Sequence, residues 1–294
     1  MYAIAGVTGH TGTVAAETLL AQGKPVRVIV RDADKGASWA HRGAEVAVAS
    51  LDDVAALTAA LTGVAGAFVL LPPQAAITSP TPLDNNRKLA VAIAEAVRAA
   101  KLPHVVLLSS VGAQHETGTG PIQALHRAER ELTATGAAVT AVRAASFQEN
   151  WGAALGALAQ GVLPTFVPAG FRYPQVATRD IGRTVAAALI EGGKPGLQVI
   201  ELAGPRDYTA HDVAGALATL TGKPVVAQDA PLDAVVPTFT GFGLSRAVAE
   251  LFREMYAGIA SGHVAWQGGS ARQVRGTVDI AETLGALLAA AASR

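Results

Sequence analysis

Apolar positions in this chain come in short unbroken runs rather than in strict alternation. Tyr2–Ala5, Pro25–Val30, Glu45–Ser50, Gly66–Leu71, His104–Ser110 and Ala138–Arg143 recur through the first half. Runs of this length fit strands buried on both faces of a parallel sheet. Between them lie stretches of helical character, over Val14–Leu20, Val54–Leu61, Leu83–Lys101 and Ile122–Thr135. Such alternation predicts an α/β fold with a doubly wound, parallel Rossmann sheet, to which residues 1–150 supply one wound half and most of the second. Pro72-Pro73 should stop the fourth strand, and the Gly/Thr-rich loop Gly112–Gly120 reads as a mobile lip.

Beyond Trp151 the pattern loosens. Gly152–Gln160 reads as a short helix, and Gly161–Tyr173 mixes Pro, Gly and aromatics. Asp180–Glu191 reads as helix and Val199–Leu202 as a late strand, which returns residues 176–204 to the sheet. Residues 151–175 and 205–294, with helices over Thr209–Gly222 and Ser245–Ser261, are expected to form a smaller C-terminal α/β domain that binds substrate.

The first strand runs straight into Gly6-Val-Thr8-Gly9-His10-Thr11-Gly12 and then into a helix. Glycines in a strand-turn-helix let the backbone approach a pyrophosphate, whose charge sits on unpaired N–H groups at the helix N-terminus. The end of the second strand bears on the cofactor type. An acid there holds the ribose 2′-hydroxyl of NAD, and a cation favours a 2′-phosphate. Arg31 comes first, with Lys35 four residues on, so NADPH is the expected cofactor. NADH stays open, with Asp32 in the acid's role.

Composition narrows the remaining classes. Half of the 294 residues are hydrophobic, enough for a sizeable core. The 23 Lys+Arg and 23 Asp+Glu balance, and no basic run with interleaved aromatics marks a nucleic-acid or membrane surface. The longest apolar runs, Val64–Leu71 and Leu284–Ala292, fall short of the roughly 20 residues needed to cross a bilayer. With no signal-peptide pattern at the N-terminus, a cytoplasmic protein is expected. The chain has no cysteine, which excludes disulfides, thiolate ligands and a cysteine nucleophile. Its histidines lack metal-ligand spacing, so no metal is expected, and no nucleophile-elbow motif supports hydrolysis.

Several motifs together resemble the NmrA-like atypical short-chain dehydrogenases, which include NADPH quinone oxidoreductases and triphenylmethane dye reductases. They are Gly6–Gly12, Val30-Arg31-Asp32, Leu108-Ser109-Ser110-Val-Gly112, His126-Arg-Ala-Glu129, Val142-Arg143 with Phe147-Gln-Glu-Asn150, and Thr178-Arg179-Asp180. The resemblance covers roughly residues 1–220. It implies NADP(H) across the sheet edge, with contacts from Gly6, Thr8, Gly9, His10, Thr11, Gly12, Arg31, Lys35, Leu71, Pro72, Ser109, Ala145 and Phe147. The chain also departs from the family. The Tyr-x-x-x-Lys pair of better-known relatives is missing, because the residues four beyond Tyr2, Tyr173, Tyr208 and Tyr256 are Gly6, Ala177, Asp212 and Ala260. Ile122–Thr135 lacks the lysine of the ether-reductase branch, and Ser50 replaces an aspartate common near the adenine.

Hydride transfer to a simple carbonyl leaves an alkoxide and gains about 10²–10⁴-fold from a positioned acid. Quinones, dyes and iminium ions need that acid less, because the product is delocalised or neutral. The sequence therefore favours an NADPH-dependent oxidoreductase acting on an apolar, conjugated small molecule. Ser110 and His126 are the candidate catalytic groups, and Asn150, Trp151, Phe171, Phe239 and Phe242 the candidate acceptor contacts. Two alternatives share the fold: an NADP(H)-sensing regulatory protein with a protein partner, and a biosynthetic imine or enone reductase. A homodimer is also left open.

Overall fold

In a computed structural model the described residues are 1–72 and 77–292. Pro73, the second proline of the expected strand stop, lies outside them. Thirteen strands and ten α-helices are present among the described residues. The main sheet takes β1 (Tyr2–Ala5), β2 (Val26–Val30), β3 (Glu45–Val48), β4 (Gly66–Val69), β5 (His104–Ser110) and β6 (Ala138–Ala144). After them the chain forms β7 (Ser146–Phe147), β8 (Val162–Thr165), β9 (Tyr173–Val176), β10 (Leu197–Ala203), β11 (Asp207–Tyr208), β12 (Val226–Asp229) and β13 (Arg272–Arg275). The large sheet runs β3-β2-β1-β4-β5-β6-β10-β13, with every pairing parallel. Its order reverses between β1 and β4, the switch point where doubly wound sheets bind ligands.

Alternate residues of each strand feed opposite cores, as strand geometry requires. Ile4, Val28, Val30 and Phe68 meet α1 (His10–Ala21) and α6 (Thr178–Glu191) on one face. Ala3, Ala5, Ile29 and Val69 meet α3 (Val54–Leu61) and α4 (Pro82–Ala99) on the other. The remaining helices are α2 (Ala33–His41), α5 (Gln123–Thr133), α7 (Ala210–Thr221), α8 (Val235–Gly241), α9 (Arg246–Ala260) and α10 (Ile280–Ala292). A third core gathers Trp151, Leu163, Tyr208, Leu217 and Leu284. Beside it lie a two-stranded sheet, β8 with β12, and a three-stranded one, β7-β9-β11.

Several expectations need correction. The helix expected over Gly152–Gln160 is present but begins earlier, at Gln148, and is a 3-10 helix. The mixed stretch 161–173 contains β8 and the start of β9. β13, far down the chain, returns to the large sheet as its edge. Its sequence, Arg-Gln-Val-Arg, has no apolar run, because an edge strand with polar side chains has little surface to bury. The Gly112–Gly120 loop is not a free lip. Ala113 and Thr119 are buried, and a Cβ on Gly120 would overlap the Leu251 carbonyl of α9.

One buried polar group ties fold stability to pH. His104 opens β5 with its Nε2 3.0 Å from the Thr140 hydroxyl, and burial lowers its pKa, an effect that nearby Glu191 partly offsets. The folded state therefore holds His104 neutral below the pH at which an unfolded histidine, with a pKa of about 6.5, takes up a proton. Above that value both states are neutral and the residue contributes no pH dependence. As pH falls below it, only the unfolded chain gains the proton and stability is lost. Denaturant titrations at pH 7.5 and 5.5 should show a lower midpoint at 5.5, and His104→Gln should shrink that difference.

Candidate functional site

The site lies at the carboxyl ends of β1, β4, β5 and β6. β1 ends at Ala5, and Gly6 turns the chain with φ at +68°, a left-handed conformation that suits glycine. A Cβ on Gly12 would overlap the Gly6 carbonyl and come within 2.7 Å of the Ala5 carbonyl. Only hydrogen fits at that crossing. Gly9 is the N-cap of α1 and makes no side-chain cap, and no acid occupies the first turn. The amides of His10, Thr11 and Gly12 are thus left as donors at the helix start, as a bound anion would need.

These residues line one end of a cavity of about 560 Å³. Leu70, Leu71, Ser109, Ser110, Ala145 and Phe147 continue its wall from the sheet edge. The far wall is apolar, with Phe252, Met255 and Ile259 from α9 and Val264 beyond it. Asn86, Glu149, Asn150, Tyr173 and Thr178 supply polar groups. No lysine or arginine lines the cavity among the described residues. No group of three or more His, Cys, Asp or Glu side chains that could hold a metal occurs among them either.

Of the residues expected to contact cofactor, Gly6, Gly9, His10, Thr11, Gly12, Leu71, Ser109, Ala145 and Phe147 meet in this cavity. Thr8 and Pro72 are not on its wall. Arg31 and Lys35 stand outside it, exposed after the end of β2, next to the β1 turn in the sheet. Asp32, the alternative ribose ligand, is engaged as the N-cap of α2, its Oδ1 accepting from the Asp34 amide at 3.0 Å. Ser50, at the end expected for adenine, hydrogen-bonds Asp52.

Both candidate catalytic groups have partners. The Ser110 hydroxyl lies on the wall and donates to the Val111 carbonyl at 3.0 Å. His126 is off the wall, its Nδ1 2.8 Å from the Ala113 carbonyl, a contact that ties the ring to the packed loop. Ser109 donates to Glu129 at 2.6 Å, and Glu129 receives Arg143 through two bonds of 2.9 and 2.6 Å. Both ionised side chains of that pair are only 4% exposed.

Among the acceptor candidates, only Asn150 lines the cavity. Trp151 belongs to the third core and donates its indole N–H to Gln175 at 2.7 Å. Phe171 packs on Tyr173 with ring centres 6.3 Å apart. Phe239 stacks on Phe252 at 4.8 Å, one ring removed from the cavity, while Phe242 is 65% exposed. Phe252 and Tyr173 belong to the C-terminal aromatic residues, some of which are expected from the sequence to line an apolar pocket; Met255 and Ile259, not singled out there, share one helix face with Phe252 by their i, i+3, i+7 spacing. Glu149 carried no such signal. Burial pushes the Tyr173 hydroxyl up from its ordinary value, so the phenol stays protonated and can donate. Tyr256, off the wall, is pushed up to about 12 by the same cause.

Fold and site together define a dinucleotide-binding α/β protein whose nucleotide turn opens into an apolar cavity. Sequence comparison gives the family: a model of the NmrA-like family matches residues 2–265, and the chain belongs to it. It is 28% identical over 259 residues to the NAD(P)H azoreductase of Xenophilus azovorans, covering 85% of each chain. It is also 28% identical over 269 residues to quinone oxidoreductase 2 of Escherichia coli strain K12, covering 89% of each. The structure of NADPH-dependent quinone oxidoreductase from Escherichia coli, complexed with NADPH, superposes with a TM-score of 0.81 at 24% identity, over 98% of this chain and 100% of that one. Citrobacter sp. triphenylmethane reductase complexed with NADP(H) gives 0.81 at 19% identity, with the same coverage.

Gly12→Ala tests the turn. The added methyl must displace the Gly6 carbonyl, so NADPH affinity, measured by nucleotide fluorescence, should fall at least tenfold, about 1.4 kcal/mol. Unchanged affinity would place the nucleotide elsewhere.

Proposed function

We propose that this protein is an NAD(P)H-dependent oxidoreductase, with NADP(H) as its cofactor, that reduces an apolar, conjugated small molecule such as a quinone, an azo or triarylmethane dye, or an iminium ion. The observation that carries the reading is the single cavity joining the glycine turn to an apolar wall, with room for a nicotinamide and a flat acceptor together. When bound, NADPH supplies the hydride. The His10, Thr11 and Gly12 amides fit its pyrophosphate, and the side chains of Arg31 and Lys35, neither with a hydrogen-bond or ion-pair partner among the described residues, fit a 2′-phosphate.

The wall residues then have separable tasks. Phe252, Met255, Ile259 and Val264 keep water from the acceptor. Ser110 and Asn150 orient it, and the protonated Tyr173 offers a hydrogen bond to an acceptor oxygen or nitrogen. With no lysine on the wall among the described residues, positioning outweighs acid–base work. His126 acts from behind, holding the loop that precedes α5. A protein that only sensed NADP(H) could fill the acceptor space with its own side chains, and that space is open here.

Oxidation of NADPH and of NADH should be followed against a simple quinone, an azo dye and a triphenylmethane dye. Turnover with at least one acceptor, faster with NADPH, is expected. Tight NADPH binding with no turnover of any acceptor would favour the sensor. Arg31→Ala should lower kcat/KM for NADPH about tenfold, a loss of about 1.4 kcal/mol, while leaving NADH nearly unchanged. An equal loss with both cofactors would remove the 2′-phosphate from Arg31.

A further inference from the structure

We propose that Glu149 sets the charge preference of the acceptor site, making it select a delocalised cation over a neutral or anionic acceptor. The inference rests on the reductase reading above and adds to it the residue that decides which acceptors are favoured.

Glu149 lies on the cavity wall beside Asn150, Tyr173 and Thr178. Its Oε1 accepts from the Thr178 amide at 2.9 Å and from the Thr178 hydroxyl at 2.6 Å, which anchors the start of α6. Its Oε2 is buried and has no hydrogen-bond partner among the described residues. A residue that only anchored the helix would need one oxygen. Buried polar atoms are normally paired, so this orphaned oxygen leaves the carboxylate only partly satisfied by the protein beside the cavity.

Within the protein the charge is offset by the two Thr178 donors at the start of α6, and by no lysine or arginine on the wall among the described residues. The wall's one histidine among them, His10, belongs to the glycine turn. Arg179, which follows Thr178, pairs with Glu282 through Nη2 while its Nε is buried without a hydrogen-bond partner among the described residues, and Arg183 pairs with Asp180. The rest of the wall is largely apolar, where a lone negative charge acts more strongly than in water. It attracts a triarylmethane or iminium cation, repels an anion and leaves a neutral molecule unaided.

The chemistry sharpens the difference. A triarylmethane cation and NADPH give the neutral leuco compound and NADP⁺, with the hydride forming the new C–H bond. A quinone, NADPH and one proton give the hydroquinone and NADP⁺, and negative charge grows on the quinone oxygens before the proton arrives. Glu149 favours binding in the first case and opposes charge development in the second.

The test is equilibrium binding to the NADP⁺-loaded protein, read from dye absorbance, with a cationic triarylmethane dye, a sulfonated anionic dye of the same skeleton and a neutral quinone read by competition. The unmodified protein should bind the cationic dye at least tenfold more tightly than the anionic one. Glu149→Gln keeps an acceptor for Thr178 and removes the charge. It should weaken the cationic dye at least tenfold, leave the quinone within twofold, raise KM for the dye with kcat held, and raise kcat for the quinone. Equal binding of the two dyes by the unmodified protein overturns the proposal without any variant, and so does an equal change for dye and quinone in Glu149→Gln. Absence of NADPH-linked turnover would instead count against the reductase reading, while the binding comparison still judges Glu149.

Discussion

The buried pair of Glu129 and Arg143 is the constraint around which this site is arranged. Taking two charges out of water is costly unless geometry and further hydrogen bonds compensate. Here Glu129 on α5 holds Arg143 on β6 through a two-bond fork and also receives Ser109 from β5. Arg143 reaches on to Gln114 in the packed loop and to Gln267 near the C-terminal edge strand. Glu201 on β10, itself buried, accepts from the Gln267 and Gly268 amides. One connected group of polar side chains thus fixes β5, β6, the loop and the segment carrying Val264.

The motif segments do structural as well as chemical work. In Phe147-Gln-Glu-Asn150, Phe147, Glu149 and Asn150 face the cavity. Gln148 turns inward, donating to the Val278 carbonyl and accepting from the Thr283 hydroxyl. In Thr178-Arg179-Asp180, Thr178 meets Glu149, while Asp180 caps the amides of Thr277 and Val278 at 2.9 Å. Side chains that a motif search reads as one cofactor signature divide between ligand-facing and chain-fastening roles.

What the sequence made legible follows from that division. Most strands from β1 to β6 are buried on both faces, so their runs stand out, although the edge strand β3 is partly exposed, and a glycine turn can be read because its geometry admits so few residues. β8, β12 and β13 are short or polar and are held by neighbours distant in sequence, which leaves no local trace. The aromatic residues posed a different difficulty. Trp151, Phe171, Phe239 and Phe252 are alike by composition, and only tertiary packing makes Phe252 a wall residue and Trp151 a core one. Glu149 looked like any half-buried acid until its two oxygens were seen to differ.

The route of the chain has a thermodynamic consequence. β10 leaves the large sheet for the third core, β13 comes back to the sheet's edge, and α10 then crosses again to pack its Leu284 beside Trp151. Neither layer of the protein is a contiguous stretch that could detach with its own ends intact. Loosening the third core frees the segment that pairs β13 to β10, and stripping β13 from the edge frees the start of α10. Such interleaving makes melting a joint event, so the floor and roof of the cavity are lost together rather than in turn.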